Sequence, residues 1–278
     1  MFPDLYFLLK YLFEVEILYF HNIKTFGFFL SISFLVNFII FIYEVKRKEK
    51  NGILLPVKIL NRKYFVSEKI NYIILAIFIS ALLGGKLFSI VKSLFFLDHL
   101  PLNYFLITNE SIYCGGLIFG FIAGWLLCKF YKLSFLKLFD TISPPLMLSY
   151  AIGRLDCHLF GGGDWGVINP LPKPSWWFLP KSFWSFDYPH NVINYGIPIE
   201  NYNGLYSHLL MPSVIPISLY EFFIAILFSI ILFLLSKKFD KIESKMFSLF
   251  LIFMSFERFI IEFVRVNPKY SILGLYIL

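Results

Sequence analysis

The strongest constraint on this chain is a series of long apolar runs separated by short charged loops. Runs near 26–45, 71–97, 115–131, 137–160, 217–236 and 246–264 each approach the ~20 residues that a helix needs to cross a bilayer. Backbone groups in hydrocarbon find no water, so such runs must satisfy their own hydrogen bonds as helices. Composition agrees: 58% of the 278 residues are hydrophobic and 15% are charged, against roughly 25% charged in a soluble domain. Mean hydropathy is +0.73. The expected fold is an all-α integral membrane protein, a single membrane domain over 1–278. It has about six transmembrane helices, an interfacial N-terminal helix and a small extracytoplasmic head between spans four and five.

Residues 1–20 are apolar, but Asp4, Lys10, Glu14 and Glu16 interrupt them too often for a span. They read as an amphipathic helix in the interface rather than a cleavable signal peptide. The 36 Phe and 17 Tyr, alongside abundant Ile, Leu, Lys and Asn, read chiefly as compositional bias. Cys114, Cys128 and Cys157 form no CxxC pair, so no zinc site or disulfide framework is indicated, and neither metal nor cofactor is expected. The net charge of +7 does not point to nucleic acid, because the basic residues sit in short loops beside apolar runs. Loops 46–69, 129–137 and 237–245 are basic and are assigned to the cytoplasm. The N-terminus, the loop near 98–114 and the 161–214 segment then face outward. That last segment is long for a loop. Its Trp176, Trp177, Phe178, Trp184 and Phe186 suggest an ordered head on the membrane surface, with a mobile loop bearing interfacial aromatics as the alternative.

Ionisable residues inside spans are rare, and function is the default hypothesis for them. Under this topology Arg154, Asp156 and His158 end the fourth span on its outer side, and Glu221 lies about a turn inside the fifth. Glu257, Arg258, Glu262 and Arg265 occupy the outer half of the sixth. Lys86, after Gly84-Gly85, and Gly115-Gly116 are expected at the same level. Arg154 and His158 share a helical face, as do Arg258 and Glu262, each pair being four apart. The second pair reads equally as a simple ion pair. A guanidinium fork suits a phosphate better than an ammonium does, so Arg154 and Arg258 are candidates for a phosphate clamp. The paired glycines serve either close helix packing or the approach of a lipid headgroup. Gly161-Gly162-Gly163, with no following Lys-Ser/Thr, reads as a hinge and not a P-loop.

Several short motifs occur in order: Thr25-Phe26-Gly27, Gly84-Gly85-Lys86, Tyr113-Cys114-Gly115-Gly116-Leu117-Ile118, Phe139-Asp140, Gly153-Arg154-Leu155, Asp164-Trp165-Gly166, Leu219-Tyr220-Glu221 and Arg258-Phe259-Ile260-Ile261-Glu262-Phe263. In this order the chain resembles the prolipoprotein diacylglyceryl transferase family over about residues 20–270. The resemblance implies transfer of a diacylglyceryl group from phosphatidylglycerol to the lipobox cysteine thiol in the signal peptide of a prolipoprotein, with release of glycerol phosphate. It implies a multi-pass protein of the bacterial plasma (inner) membrane, its active site facing the outer leaflet. Arg154 matches the family's essential headgroup-binding arginine. Arg258 and Glu262 match its partners in the late helix, and Glu221 the glutamate of its Tyr-Glu motif. The expected catalytic set is Arg154, Arg258, Glu221 and His158. Substrate contacts are expected at Arg154, Gly153, Cys114, Gly115, Gly116 and Glu262.

This chain departs from the family pattern at several positions. Cys114 stands where a histidine, a proposed base, is usual, and Phe26 where tyrosine is common. Cys157 replaces an asparagine, and Ile215-Pro216 a histidine-proline pair. Many members carry a seventh span, whereas this chain stops at Leu278. The thiol must become a thiolate, which requires a base within reach. His158 is the substitute base suggested by its place one turn from Arg154, with Glu221 or the phosphate itself as other possibilities and a capping histidine as the bland reading. The departures motivate one alternative, a degenerate non-catalytic homologue that binds lipid or partner proteins. A small transporter is the weaker rival, for no internal repeat is evident.

Overall fold

A computed structural model describes residues 1–59, 62–96, 113–202, 204–266, 270–272 and 275–277, and seven α-helices run through these described residues. They are α1 (Leu5–Phe13), α2 (Thr25–Lys50), α3 (Val66–Phe96), α4 (Tyr113–Phe130), α5 (Phe135–Phe160), α6 (Ile217–Ser236) and α7 (Lys245–Glu262). Each expected span falls on one of α2–α7. By length and composition Thr25–Lys50, Val66–Val91 and Ile217–Ser236 are long and apolar enough to cross a membrane, and Cys114–Phe130 is apolar but shorter. At ~1.5 Å per residue the 26 residues of α2 reach about 39 Å, beyond the ~30 Å hydrocarbon thickness. The strands make three short antiparallel hairpins, β1–β2 (Val57–Ile59, Arg62–Tyr64), β3–β4 (Ile197–Pro198, His208–Leu209) and β5–β6 (Tyr270–Ile272, Leu275–Ile277). Most of the expected outward loop near 98–114 lies outside the described residues.

The N-terminal helix is shorter than its apolar stretch suggests. Asp4 caps it by accepting from the Phe7 N–H at 3.3 Å, and Glu14 ends it in the left-handed conformation with its N–H on the Lys10 carbonyl. A 3₁₀ turn, Leu18–Asn22, then leads to α2.

The chain divides into two compact units. The first comprises 1–37, 143–237 and 248–278, and the second 38–142 and 238–247. In the first unit, Ser33 and Ser149 each donate a hydroxyl to the other's carbonyl, at 2.9 and 3.0 Å, joining α2 to α5. Prolines at 144 and 145 interrupt the ladder of α5, and the Ser229 hydroxyl of α6 donates to the Pro144 carbonyl at 3.4 Å. Phe228 and Phe253 stack at 4.4 Å between α6 and α7. Such small polar contacts and close packing hold helices together where no hydrophobic force between them exists. Within the 161–214 segment, the fully buried Asn191 donates to the carbonyls of Tyr188, Tyr195 and His208 and accepts from the Tyr195 N–H.

In the second unit, Asp140 of α5 accepts from the Ser244 and Phe247 N–H groups at 2.6 and 2.8 Å, satisfying free donors at the start of α7. Arg47 forks onto Asp240 at 2.6 and 2.9 Å and also holds Glu44. Helices α3 and α4 meet through glycine. Gly115 is buried, and a Cβ there would fall on the Gly84 carbonyl and lie 2.7 Å from the Phe88 Cβ. Gly115→Ala is therefore expected to cost about 1–3 kcal/mol of stability by overpacking. Gly27→Ala, whose Cβ would meet nothing within 4 Å, should be neutral or slightly stabilising. Thermal unfolding of the two variants in detergent checks the contrast.

Candidate active site

The site is assembled by a turn of three glycines. Helix α5 stops at Phe160 because Gly161 takes a φ of +69°, a left-handed cap whose N–H returns to the Cys157 carbonyl at 3.2 Å. A Cβ at Gly161 would press on Asn191 and Met1 at 3.3 Å. Gly163, at φ +103°, completes the reversal. The stretch read from sequence as a hinge is a turn that brings Asp164 back to Arg154, ten positions earlier. The backbone beyond it is then clamped. Gly166 N–H donates to the Ile215 carbonyl and Val167 N–H to that of Val264, while Gly166 bridges Arg265. Helix α7 ends at Glu262, so Arg265 reaches the site from this bridge and not from a helix face.

Four carboxylates and three guanidinium groups meet here, all within the first unit. Arg154 Nη1 lies 3.2 Å from Asp164 Oδ2 and 3.3 Å from Glu221 Oε2. Its Nε–H donates to the Tyr150 hydroxyl at 3.0 Å, and that hydroxyl faces both oxygens of Glu257 at 3.1 and 3.2 Å. Arg258 Nη1 is 3.6 Å from Glu221 Oε1, and its Nη2 is 3.8 Å from Glu262. Arg265 joins Asp164 at 3.5 Å. Glu221 and Glu257 are buried, whereas Arg258, Glu262 and Asp164 are 39–47% exposed at their side chains, so the cluster opens on one side. The Arg258 contacts are ion pairs too long for hydrogen bonds. Glu221 Oε1 has no hydrogen-bond partner among the described residues, and the hydrogen bonds of Arg154 run from Nε and Nη1. The cluster therefore keeps one guanidinium edge and one loosely held arginine beside an under-satisfied carboxylate.

Arg154, Glu221, Arg258 and Glu262 are thus brought together from α5, α6 and α7, as read from sequence. Gly153 precedes Arg154, and no described residue lies within 4 Å of a Cβ placed on it. Among the described residues, His158 makes no hydrogen bond or ion pair with the cluster. Its Nδ1 is 3.0 Å from the Tyr188 hydroxyl, and its ring packs on Phe186 and Tyr188. Burial pushes the Tyr188 phenol above its ordinary range, keeping it neutral. Asp156 is buried on another side of α5, with Oδ1 unpartnered among the described residues. Cys114, Gly115 and Gly116 begin α4 in the second unit, Cys114 exposed and Gly116 3.2 Å, at a Cβ, from the Ala81 carbonyl. Sequence reasoning assigned no role to Tyr150, and it named Asp164 only as part of a motif. Tyr150 had a signal, its position four before Arg154 on the same face.

Apolar helices around a half-buried set of ion pairs define an integral membrane protein with a charged site. A family model described as prolipoprotein diacylglyceryl transferase matches residues 13–277. A phosphatidylglycerol–prolipoprotein diacylglyceryl transferase of Neisseria meningitidis is 27% identical over 255 residues, 86% of this chain and 80% of that one. Those of Clostridium novyi (33% over 153 residues, 55% and 50% of the two chains) and Buchnera aphidicola (27% over 208 residues, 74% and 71%) are similar as well. The chain belongs to the prolipoprotein diacylglyceryl transferase family and is an enzyme of the transferase class.

Gly161→Ala tests the turn. An L-residue held left-handed costs roughly 1–2 kcal/mol, and the loss is expected to be local. Hydrogen exchange should quicken at the 161–167 amides while those of α6 stay protected.

Proposed function

We propose that this enzyme moves the diacylglyceryl group of phosphatidylglycerol to the lipobox cysteine thiol of a prolipoprotein signal peptide. The observation that carries this reading is the pair Arg154 and Arg258 on either side of Glu221. One guanidinium makes its hydrogen bonds from Nε and Nη1, and the other, among the described residues, is held by ion-pair contacts of 3.6 and 3.8 Å. Between them a phosphodiester gains charge-assisted hydrogen bonds at small cost in lost ones. The names of the relatives support the same substrates.

In the proposed step the thiol proton passes to Glu221 and the sulfur attacks the terminal glycerol carbon of the diacylglyceryl group. The C–S bond forms as the C–O bond to phosphate breaks, and glycerol phosphate leaves with the electron pair. Arg154 and Arg258 stabilise the charge that grows on that phosphate, an electrostatic contribution present where the charge develops. Glu221 is preferred as base over His158 because it touches both arginines, while His158 is engaged by Tyr188. Gly153 leaves room for the lipid beside Arg154, and Glu262 steadies Arg258. The wider reading has α2–α7 as six spans of a bacterial plasma membrane protein. The 161–214 segment is then an extracytoplasmic head, and the site opens toward the outer leaflet.

Transfer to a lipobox peptide in phosphatidylglycerol-containing membranes is expected to vanish in Arg154→Ala and to fall at least a hundredfold in Glu221→Gln, in line with typical general-base contributions of about 10²–10⁴. His158→Ala should retain most of the rate. Complementation of transferase-depleted cells by the unaltered chain separates an enzyme from a lipid-binding relative, and failure to complement despite membrane expression would count against the proposal.

A further inference from the structure

The carboxylate of Glu257 is the most costly group in the cluster for which the transfer chemistry has no use. It is 1% exposed, on an apolar helix, and makes no ion pair among the described residues. Its two oxygens share one donor, the Tyr150 hydroxyl, at 3.1 and 3.2 Å. A buried carboxylate so poorly compensated is expensive, which asks what its charge does. The phenol supplies the answer, because it has a single proton. With that proton directed at Glu257, the lone pairs of the oxygen are left to the Arg154 Nε–H, 3.0 Å away.

We infer that Glu257 and Tyr150 act as positioning residues, a buried relay that fixes the guanidinium plane of Arg154 and aims its Nη2 edge at the substrate phosphate. This rests on the headgroup role of Arg154 proposed above. The relay differs in kind from the Asp164 and Glu221 contacts. A carboxylate placed directly on Nε would neutralise the arginine further and compete with an incoming phosphate. A neutral hydroxyl orients it and leaves its charge in place, while the negative charge that orders the hydroxyl stays one residue further off. The ring adds a second restraint, with the Arg154 Cζ 5.1 Å from the Tyr150 centroid. One turn of helix separates the two residues, so α5 itself sets their spacing, and Glu257 brings α7 to the same point.

The test is a double-mutant cycle on the full chain in nanodiscs of defined phosphatidylglycerol content. Tyr150→Phe keeps the ring and its volume and removes only the hydroxyl. It should lower the unfolding temperature while leaving the protein folded, because the buried Glu257 carboxylate loses its donor, and it should lower kcat/KM for phosphatidylglycerol by on the order of tenfold, the scale of one hydrogen bond to a charged group. Arg154→Lys lacks the planar fork, so adding Tyr150→Phe to it should cost little more, in the rate and equally in phosphatidylglycerol retained by the purified protein. Glu257→Gln, which still accepts from the phenol, should keep more activity than Glu257→Leu at equal expression. A normal Tyr150→Phe rate alongside an impaired Arg154→Lys overturns the relay and spares the headgroup reading. Equal losses from Tyr150→Phe in both backgrounds also overturn it, since the tyrosine would then act independently of the arginine. Normal binding and transfer in Arg154→Lys removes both.

Discussion

Everything near the site depends on keeping Arg154 charged within a protein made of apolar helices. A guanidinium in such surroundings is tolerable only with partners at hand, and the chain provides them from separate places. Asp164 arrives through a glycine turn, Glu221 from α6, and Tyr150 from the preceding turn of α5. Each partner constrains a part of the backbone, so the ion cluster and the packing of α5, α6 and α7 specify one another. Loss of any direct carboxylate partner would leave a charge that the fold has already paid to bury.

The helices were legible because their signal is composition over about twenty residues, which no tertiary contact needs to supply. All six apolar runs became helices, and the residues read as anomalous within them, Arg154, Glu221, Arg258 and Glu262, do meet. What stayed hidden was anything that depends on chain reversal. Arg154 had no carboxylate partner at helical spacing, since Asp156 points elsewhere. Its real partner Asp164 lies ten residues on, beyond glycines whose positive φ only the fold reveals. His158 shows the opposite case. Helical spacing placed it correctly on the Arg154 side of α5, but spacing says nothing of the aromatic neighbours of the 161–214 segment, and Tyr188 holds it among them.

Two helical glycines, Gly115 and Gly153, answer demands that look alike in sequence. Gly115 packs against Gly84 and Phe88 in the second unit, where a side chain has no room. Gly153 also sits in a helix, yet a Cβ there would meet nothing within 4 Å. Glycine costs a helix interior about 0.5–1 kcal/mol relative to alanine. At Gly115 close helix approach repays that cost. At Gly153 no neighbour does, which suits a position reserved for a substrate beside Arg154.

Charge accounting links the proposed base to the proposed leaving group. Arg154, Arg258 and Arg265 carry three positive charges, while Asp164, Glu221, Glu257 and Glu262 carry four negative ones, a formal balance of −1. A bound phosphodiester brings that to −2, and its departure as a monoester adds charge at the arginines. If the thiol proton moves to Glu221, the carboxylate nearest both guanidinium groups becomes neutral as the phosphate gains charge. Arg154 and Arg258 are then released from Glu221 to face the leaving oxygen. Proton removal from sulfur and stabilisation of the phosphate thereby become one electrostatic event, and a base placed at His158, outside the ion pairs, would not couple them.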